Sequence, residues 1–190
     1  MNTTANVLFR NQIDEHWPGQ LRPRLEGLTT EEYLWEPAPA CWNVRRRGTS
    51  AAPIQAGSGA MTIDFAAPEP SPPPLTTIAW RLGHVIVGVL GARNAAHFGR
   101  APTDYMSFEY AASADEALVQ LDAEYARWRS GVESLGESGL GRPCGEAEGP
   151  YAERTMAELV LHINRELIHH LAEVCLLRDL YLHTRGGERS

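Results

Sequence analysis

A long stretch without glycine or proline, residues 151–183, constrains the fold of this chain more than any other feature. It predicts one helix of roughly 28 residues, or about 40 Å at the usual rise. Thr155 is a candidate N-cap, Glu158 completes a capping box, and Gly186 is expected to end the helix. Six apolar side chains fall on one side and must face a core. They are Leu159, Ile163, Leu167, Val174, Leu177 and Tyr181.

Two polar residues, Glu166 and His170, lie on that same apolar side, one turn apart, so that their side chains point to one place. A carboxylate there costs free energy unless an arginine, a proton or a metal ion offsets it. The Glu-x-x-x-His spacing offers one oxygen and one nitrogen ligand from a helix face. The alternative is that Glu166 pairs with Arg81 or Arg165 and that His170 is a hydrogen-bonded core histidine. The helix by itself leaves both interpretations open.

The composition limits the classes of protein to consider. The length of 190 residues suits a single domain over residues 1–190, and 43% hydrophobic residues can build a core. No apolar window reaches the ~18 residues of a membrane span, and the N-terminus lacks a signal-peptide pattern, so we expect a cytoplasmic location and no membrane. The net charge of −7 and the single short basic cluster, residues 45–47, argue against nucleic acid as a partner.

The basic and sulfur-containing residues exclude further chemistry. All 17 basic residues are arginine, which removes a lysine Schiff base or general base. The three cysteines have no C-x-x-C spacing, which argues against a disulfide framework and a cysteine zinc site. They are Cys41, Cys144 and Cys175.

The remaining segments predict three more helices. The first covers residues 3–27, with a kink or break near Trp17 at Pro18-Gly19. A proline- and glycine-rich connection over about residues 36–75 follows, with apolar anchors that suggest a short strand pair. The second helix begins at Thr76 or Thr77 and runs to about Phe98. The third covers residues 113–135, capped by Ser113 with Glu116, and residues 136–150 form a loop. This order predicts an all-α four-helix bundle with a long connection between helices 1 and 2.

Inward-facing side chains on different helices of a bundle can build a metal site. His84 on the second helix, together with Glu166 and His170, supplies two imidazoles and one carboxylate. This set is typical of a catalytic zinc site with one open position, and equally of non-haem iron. For His84 alone, the alternative is a hydrogen-bonded core histidine.

The chain resembles the DinB-like superfamily of metal-binding four-helix bundles, which includes thiol-dependent S-transferases and mycothiol-dependent maleylpyruvate isomerases. The resemblance rests on motifs in the second helix, in the long C-terminal helix and its tail, and in the long loop. They are Trp80-Arg-Leu-Gly-His84, Asn164-Arg-Glu-Leu-Ile-His-His-Leu-Ala-Glu173, Leu34-Trp-Glu-Pro37, Cys41-Trp-Asn-Val44 and Cys175-Leu-Leu-Arg-Asp-Leu-Tyr181. The resemblance implies a metal bound by His84, Glu166 and His170, with Glu166 standing where many members have histidine and the isomerases look similar in having glutamate. His169 could replace His170, and His162 could be a fourth or outer partner.

The resemblance also implies a function. We expect a divalent ion, zinc first with nickel or iron as alternatives, and a low-molecular-weight thiol as co-substrate of an S-transferase or isomerase acting on a small molecule. A metal-dependent hydrolase and a non-catalytic, stress-linked binding module are the alternatives, so whether the chain is an enzyme stays open. No catalytic residue beyond the ligands is indicated. Apolar positions on helices 1 and 3 are compatible with a homodimer.

Overall fold

The computed structural model describes residues 4–185, which are mainly helical and carry one small three-stranded sheet. The α-helices are α1 (Ala5–Asp14), α2 (Thr30–Leu34), α3 (Ile78–His84), α4 (Ala92–His97), α5 (Ala114–Leu140) and α6 (Met156–Arg185). The strands are β1 (Val44–Arg46), β2 (Ile54–Ala56) and β3 (Met61–Phe65). None of the helices within residues 4–185 is long and apolar enough to cross a membrane.

Helix α6 forms as its sequence predicts. Thr155 accepts a hydrogen bond from the Glu158 N–H, and the Glu158 carboxylate accepts one from the Thr155 N–H, so the capping box is confirmed. The predicted stripe is buried except for Leu177, which is half-buried. The predicted stop at Gly186 lies outside the described residues.

The predicted second helix is one continuous rod built from three pieces. Thr77 caps it by accepting from the Trp80 N–H. Helix α3 runs into a π-helical segment, Val85–Gly91, and then into α4, with His84 and Gly91 both in right-handed helical conformation at the joints. The predicted first helix also changes type without stopping. The α1 helix gives way to a π-helix at Trp17–Leu21 and a 3₁₀ turn at Pro23–Leu25.

The predicted loop at residues 136–150 is wrong in part. Helix α5 continues to Leu140, and Gly136 kinks it with a φ of 56° and a ψ of −167°. Glycine reaches this region of positive φ without strain, so the helical pieces before and after Gly136 join across a kink. A 3₁₀ helix, Glu146–Tyr151, then leads to α6. The Ser113 cap is confirmed, but the Glu116 carboxylate accepts from the Ala112 N–H instead of closing a box on Ser113.

The long connection is a folded antiparallel sheet with strand order β1-β3-β2, larger than the predicted strand pair. It is fixed to the start of α3 by buried hydrogen bonds. The Trp80 Nε1–H donates to the Asp64 carbonyl at 2.8 Å, and the Thr77 hydroxyl donates to the Asn43 side chain at 2.7 Å. The connection therefore holds the N-terminal end of α3, the helix that carries His84.

Close packing between α5 and the end of α4 depends on one glycine. A Cβ atom on the buried Gly131 would overlap the Phe98 ring. We expect Gly131→Ala to lower the free energy of unfolding by about 1–3 kcal/mol, because overpacking outweighs the better helix propensity of alanine. Urea denaturation of Gly19→Ala is the control, since nothing lies within 4 Å of a Cβ there. A Gly131→Ala protein as stable as wild type would contradict this account of the packing.

Candidate metal centre

The predicted ligands lie where α3 contacts α6: His84 contacts His170, and His170 contacts Glu166. The imidazole rings of His84 and His170 have centroids 4.7 Å apart and lie nearly perpendicular, at 86°. The Nε2 atom of His170 is 3.4 Å from Oε2 of Glu166. His170 thus contacts both His84 and Glu166, but the three predicted ligands do not bring one ligand atom each within 4.8 Å of one another; within residues 4–185 the group that does so is His169, His170 and Glu173.

The environment of His84 keeps its imidazole neutral. The ring stacks on Trp80 at a centroid distance of 5.5 Å, and its Nδ1 atom lies 2.6 Å from the Tyr105 hydroxyl. Burial first, and then the positive charge of His170 and Arg81, lowers the pKa of His84 to about 4. A neutral imidazole is the form that can bind a metal ion.

His170 is buried and oriented by charged neighbours. Its Nδ1 atom lies 3.0 Å from Oε2 of Glu173 and 3.4 Å from Nη1 of Arg81. Arg81 also pairs with Glu173 at 3.2 Å. A carboxylate that accepts the Nδ1–H of a histidine fixes the ring and leaves Nε2 as the ligand atom. Here Nε2 is the nitrogen on the side of Glu166.

Glu166 is not neutralised by Arg81, which pairs with Glu173 instead. Its Oε1 atom lies 3.5 Å from Nδ1 of His162 and 3.7 Å from Nε of Arg165. The Arg165 side chain is 70% exposed, and an exposed pair of this kind contributes little. Oε2 of Glu166 faces His170. His162 therefore lies beside Glu166 as an outer neighbour, one of the roles that the sequence suggests for it.

A second group of possible ligands shares His170. One ligand atom each from His169, His170 and Glu173 lie within 4.8 Å of one another, so this group could also hold a divalent ion. His169 is exposed, and its Nε2 atom lies 3.6 Å from Oε1 of Glu173. Glu173 is not among the ligands that the sequence predicts. Its position three residues after His170 on the same helix is the signal that points to it.

Two cavities reach neighbours of the three predicted ligands, although the ligands themselves do not line either cavity. We call the first the arginine cavity; it measures about 400 Å³. Its walls include Arg93, Arg154, His162 and Arg165. The second, the tryptophan cavity, measures about 460 Å³ and reaches Arg81 and Glu173. Its apolar walls include Trp42, Leu75, Trp80 and Leu177. Both volumes suit a small-molecule ligand.

The DinB superfamily model matches residues 12–174, and the chain belongs to this family. The matched region contains all three predicted ligands and the second ligand group, so the resemblance that the motifs indicate is confirmed at the level of the superfamily. No curated protein and no solved structure gives a significant match.

The low pKa of His84 has a measurable consequence for the metal-free protein. The unfolded chain takes up this proton near the ordinary value of 6.5, but the folded chain does so only near 4. We therefore expect His84 to make the free energy of unfolding fall as the pH drops from about 6.5 to about 4. Denaturation across this range should show a smaller fall for His84→Gln than for wild type.

The exposed His183 supplies the matched control. His183→Gln should keep the wild-type pH dependence, and NMR titration should give a pKa of about 4 for the wild-type His84 ring. A His84 ring that titrates at 6.5 or above would contradict the buried, neutral state.

Proposed function

We propose that this DinB-superfamily protein binds a divalent metal ion through His84, Glu166 and His170, inside a helical bundle of four rods. The observation that carries the proposal is that His170 contacts both other residues: its ring lies 4.7 Å from the ring of His84, and its Nε2 atom is 3.4 Å from Oε2 of Glu166. Zinc suits two imidazoles and one carboxylate, and nickel or iron are the alternatives.

Arg81 is the reason for preferring this set over His169, His170 and Glu173. Its guanidinium lies 3.2 Å from Glu173 and 3.4 Å from Nδ1 of His170, so it already neutralises that carboxylate. A cation bound there would be repelled by Arg81 or would have to displace it. Among the described residues, the arginine paired with Glu166 is the exposed Arg165, and burial keeps the third residue of the set, His84, neutral.

We propose further that the protein uses a low-molecular-weight thiol, as an S-transferase or isomerase. A divalent ion with an open position supplies a Lewis acid that holds a thiol in its thiolate form. The thiols of the chain itself are poor nucleophiles, because burial raises the pKa of Cys41, Cys144 and Cys175. A thiol from outside the chain fits this arrangement better than an internal one.

The residues around the site have separate roles in this reaction. Glu173 and Arg81 both contact the Nδ1 atom of His170, at 3.0 and 3.4 Å, and together keep its ring in place. Arg81 lines the tryptophan cavity and can orient an anionic group of the acceptor substrate. The apolar walls of that cavity, Trp42 and Trp80 among them, keep water from the acceptor.

Metal content tests the first part of the proposal. After reconstitution with zinc, nickel or iron, we expect about one ion per wild-type chain by elemental analysis, as a three-ligand site implies. His84→Ala, Glu166→Ala and His170→Ala should each lose the ion. His169→Ala is the matched control and should keep it. Loss in His169→Ala with retention in Glu166→Ala would assign the ion to the second group, and a wild-type chain without metal would overturn the proposal.

A two-substrate assay tests the second part. We expect the metal-loaded protein to consume an electrophile together with one of several bacterial thiols, and the His84→Ala protein to consume neither. Chromatography of both substrates and the product is the measurement. Turnover without thiol would favour a metal-dependent hydrolase. Thermal stabilisation by a thiol without any product would favour a non-catalytic, stress-linked binding module.

A further inference from the structure

A residue outside the bundle helices, Tyr105, contacts the predicted metal ligand His84. It lies in the segment between α4 and α5, and its hydroxyl oxygen is 2.6 Å from the Nδ1 atom of His84. The two rings are nearly parallel, at 8°, with centroids 6.3 Å apart. Because Nδ1 is engaged by this hydroxyl, Nε2 is the nitrogen of His84 left for a ligand.

The segment around Tyr105 is built to hold this ring in place. The Asp104 carboxylate accepts the N–H groups of Met106 and Ser107 at 2.9 and 2.8 Å, which fixes a tight turn. The Tyr110 hydroxyl donates to the Tyr105 carbonyl at 3.1 Å. The Phe65 ring, on the sheet, meets the Tyr105 ring edge to face at 4.9 Å. Contacts from three directions leave the hydroxyl little freedom to turn away from His84.

The sequence of the π-helical segment makes room for the hydroxyl. Gly88 lies four residues after His84, and a Cβ atom there would overlap the Tyr105 hydroxyl oxygen and come within 2.8 Å of its ring carbon Cζ. The same Cβ would lie 3.3 Å from Nδ1 of His84. Glycine inside a helix is unfavourable relative to alanine, so a packing requirement at this position accounts for it. The hydrogen bond between Tyr105 and His84 occupies the space that a side chain would fill.

We propose that Tyr105 is a positioning residue of the metal centre, which accepts the Nδ1–H of His84 and thereby presents Nε2 to the ion. The inference rests on the proposed metal site. A neutral imidazole carries its proton on one nitrogen only, so a proton fixed on Nδ1 leaves a lone pair on Nε2. Outer partners of this kind set the tautomer and ring orientation of a metal-binding histidine. Burial keeps the Tyr105 hydroxyl protonated, since it raises the pKa to about 12.

Two different substitutions remove the same hydrogen bond. Tyr105→Phe deletes the hydroxyl, and Gly88→Ala displaces it while leaving both partners chemically intact. We expect each to weaken metal binding by about 10- to 100-fold in competition with a chromophoric chelator. The double variant should bind no more weakly than Tyr105→Phe alone, because both changes act on one interaction. Tyr151→Phe makes the same chemical change at an exposed ring and should bind as wild type does.

A second readout does not need the metal. In the metal-free protein at neutral pH, ¹⁵N NMR should show the His84 proton on Nδ1 in wild type and a mixture of tautomers in Tyr105→Phe. Wild-type affinity in Tyr105→Phe, or a wild-type proton on Nε2, would overturn the proposal. A wild-type chain that binds no ion would overturn the proposed function instead. If Gly88→Ala does not fold, Tyr105→Phe decides the question alone.

Discussion

The free energy cost of placing polar rings and a carboxylate in the contact between α3 and α6 governs the rest of this structure. Desolvation acts on His84 and His170 in different ways. In the part of the chain that the structure describes, His84 is hydrogen-bonded to the Tyr105 hydroxyl and to no carboxylate, and burial keeps its ring neutral. His170 keeps its place through Glu173 and Arg81. Each polar group that the packing buries is thus either uncharged or paired, as burial in low dielectric requires.

The long connection belongs to the site as much as the helices do. Its Trp42 and Phe65 rings pack against Trp80, which in turn stacks on His84. The sheet also holds the Trp80 indole through the Asp64 carbonyl. A side chain that must keep one orientation needs neighbours that are themselves fixed. The folded connection provides that support at a point where the neighbouring π-helical segment offers small residues such as Gly88.

The parts of the fold and site that depend on near neighbours in sequence could be predicted, and the parts that depend on distant packing could not. Thr155 and Glu158 are three residues apart, and Glu166 and His170 are four residues apart. Helix geometry alone therefore places the side chains of each pair together. The contact of Tyr105 with His84 joins two separate elements and leaves no local pattern. At Gly136 the sequence predicts the start of a loop, because glycine commonly ends helices, whereas in the structure a short helical piece follows the kink. The short strand β2 is defined by its antiparallel pairing with β3, which its own three residues do not predict.

Arg81 pairs with Glu173 and not with Glu166, and this pairing determines where negative charge remains in the cluster. Glu166 and Glu173 together carry two negative charges, and Arg81 offsets one of them at Glu173. The other negative charge lies on Glu166, next to the Nε2 atom of His170. A divalent cation at that point would turn the local charge from net negative to net positive, and a positive site favours a thiolate over a thiol. If Arg81 paired with Glu166 instead, the uncompensated charge would lie on Glu173, beside His169 and His170. The pairing of Arg81 therefore decides which of the two carboxylates is left to attract a cation.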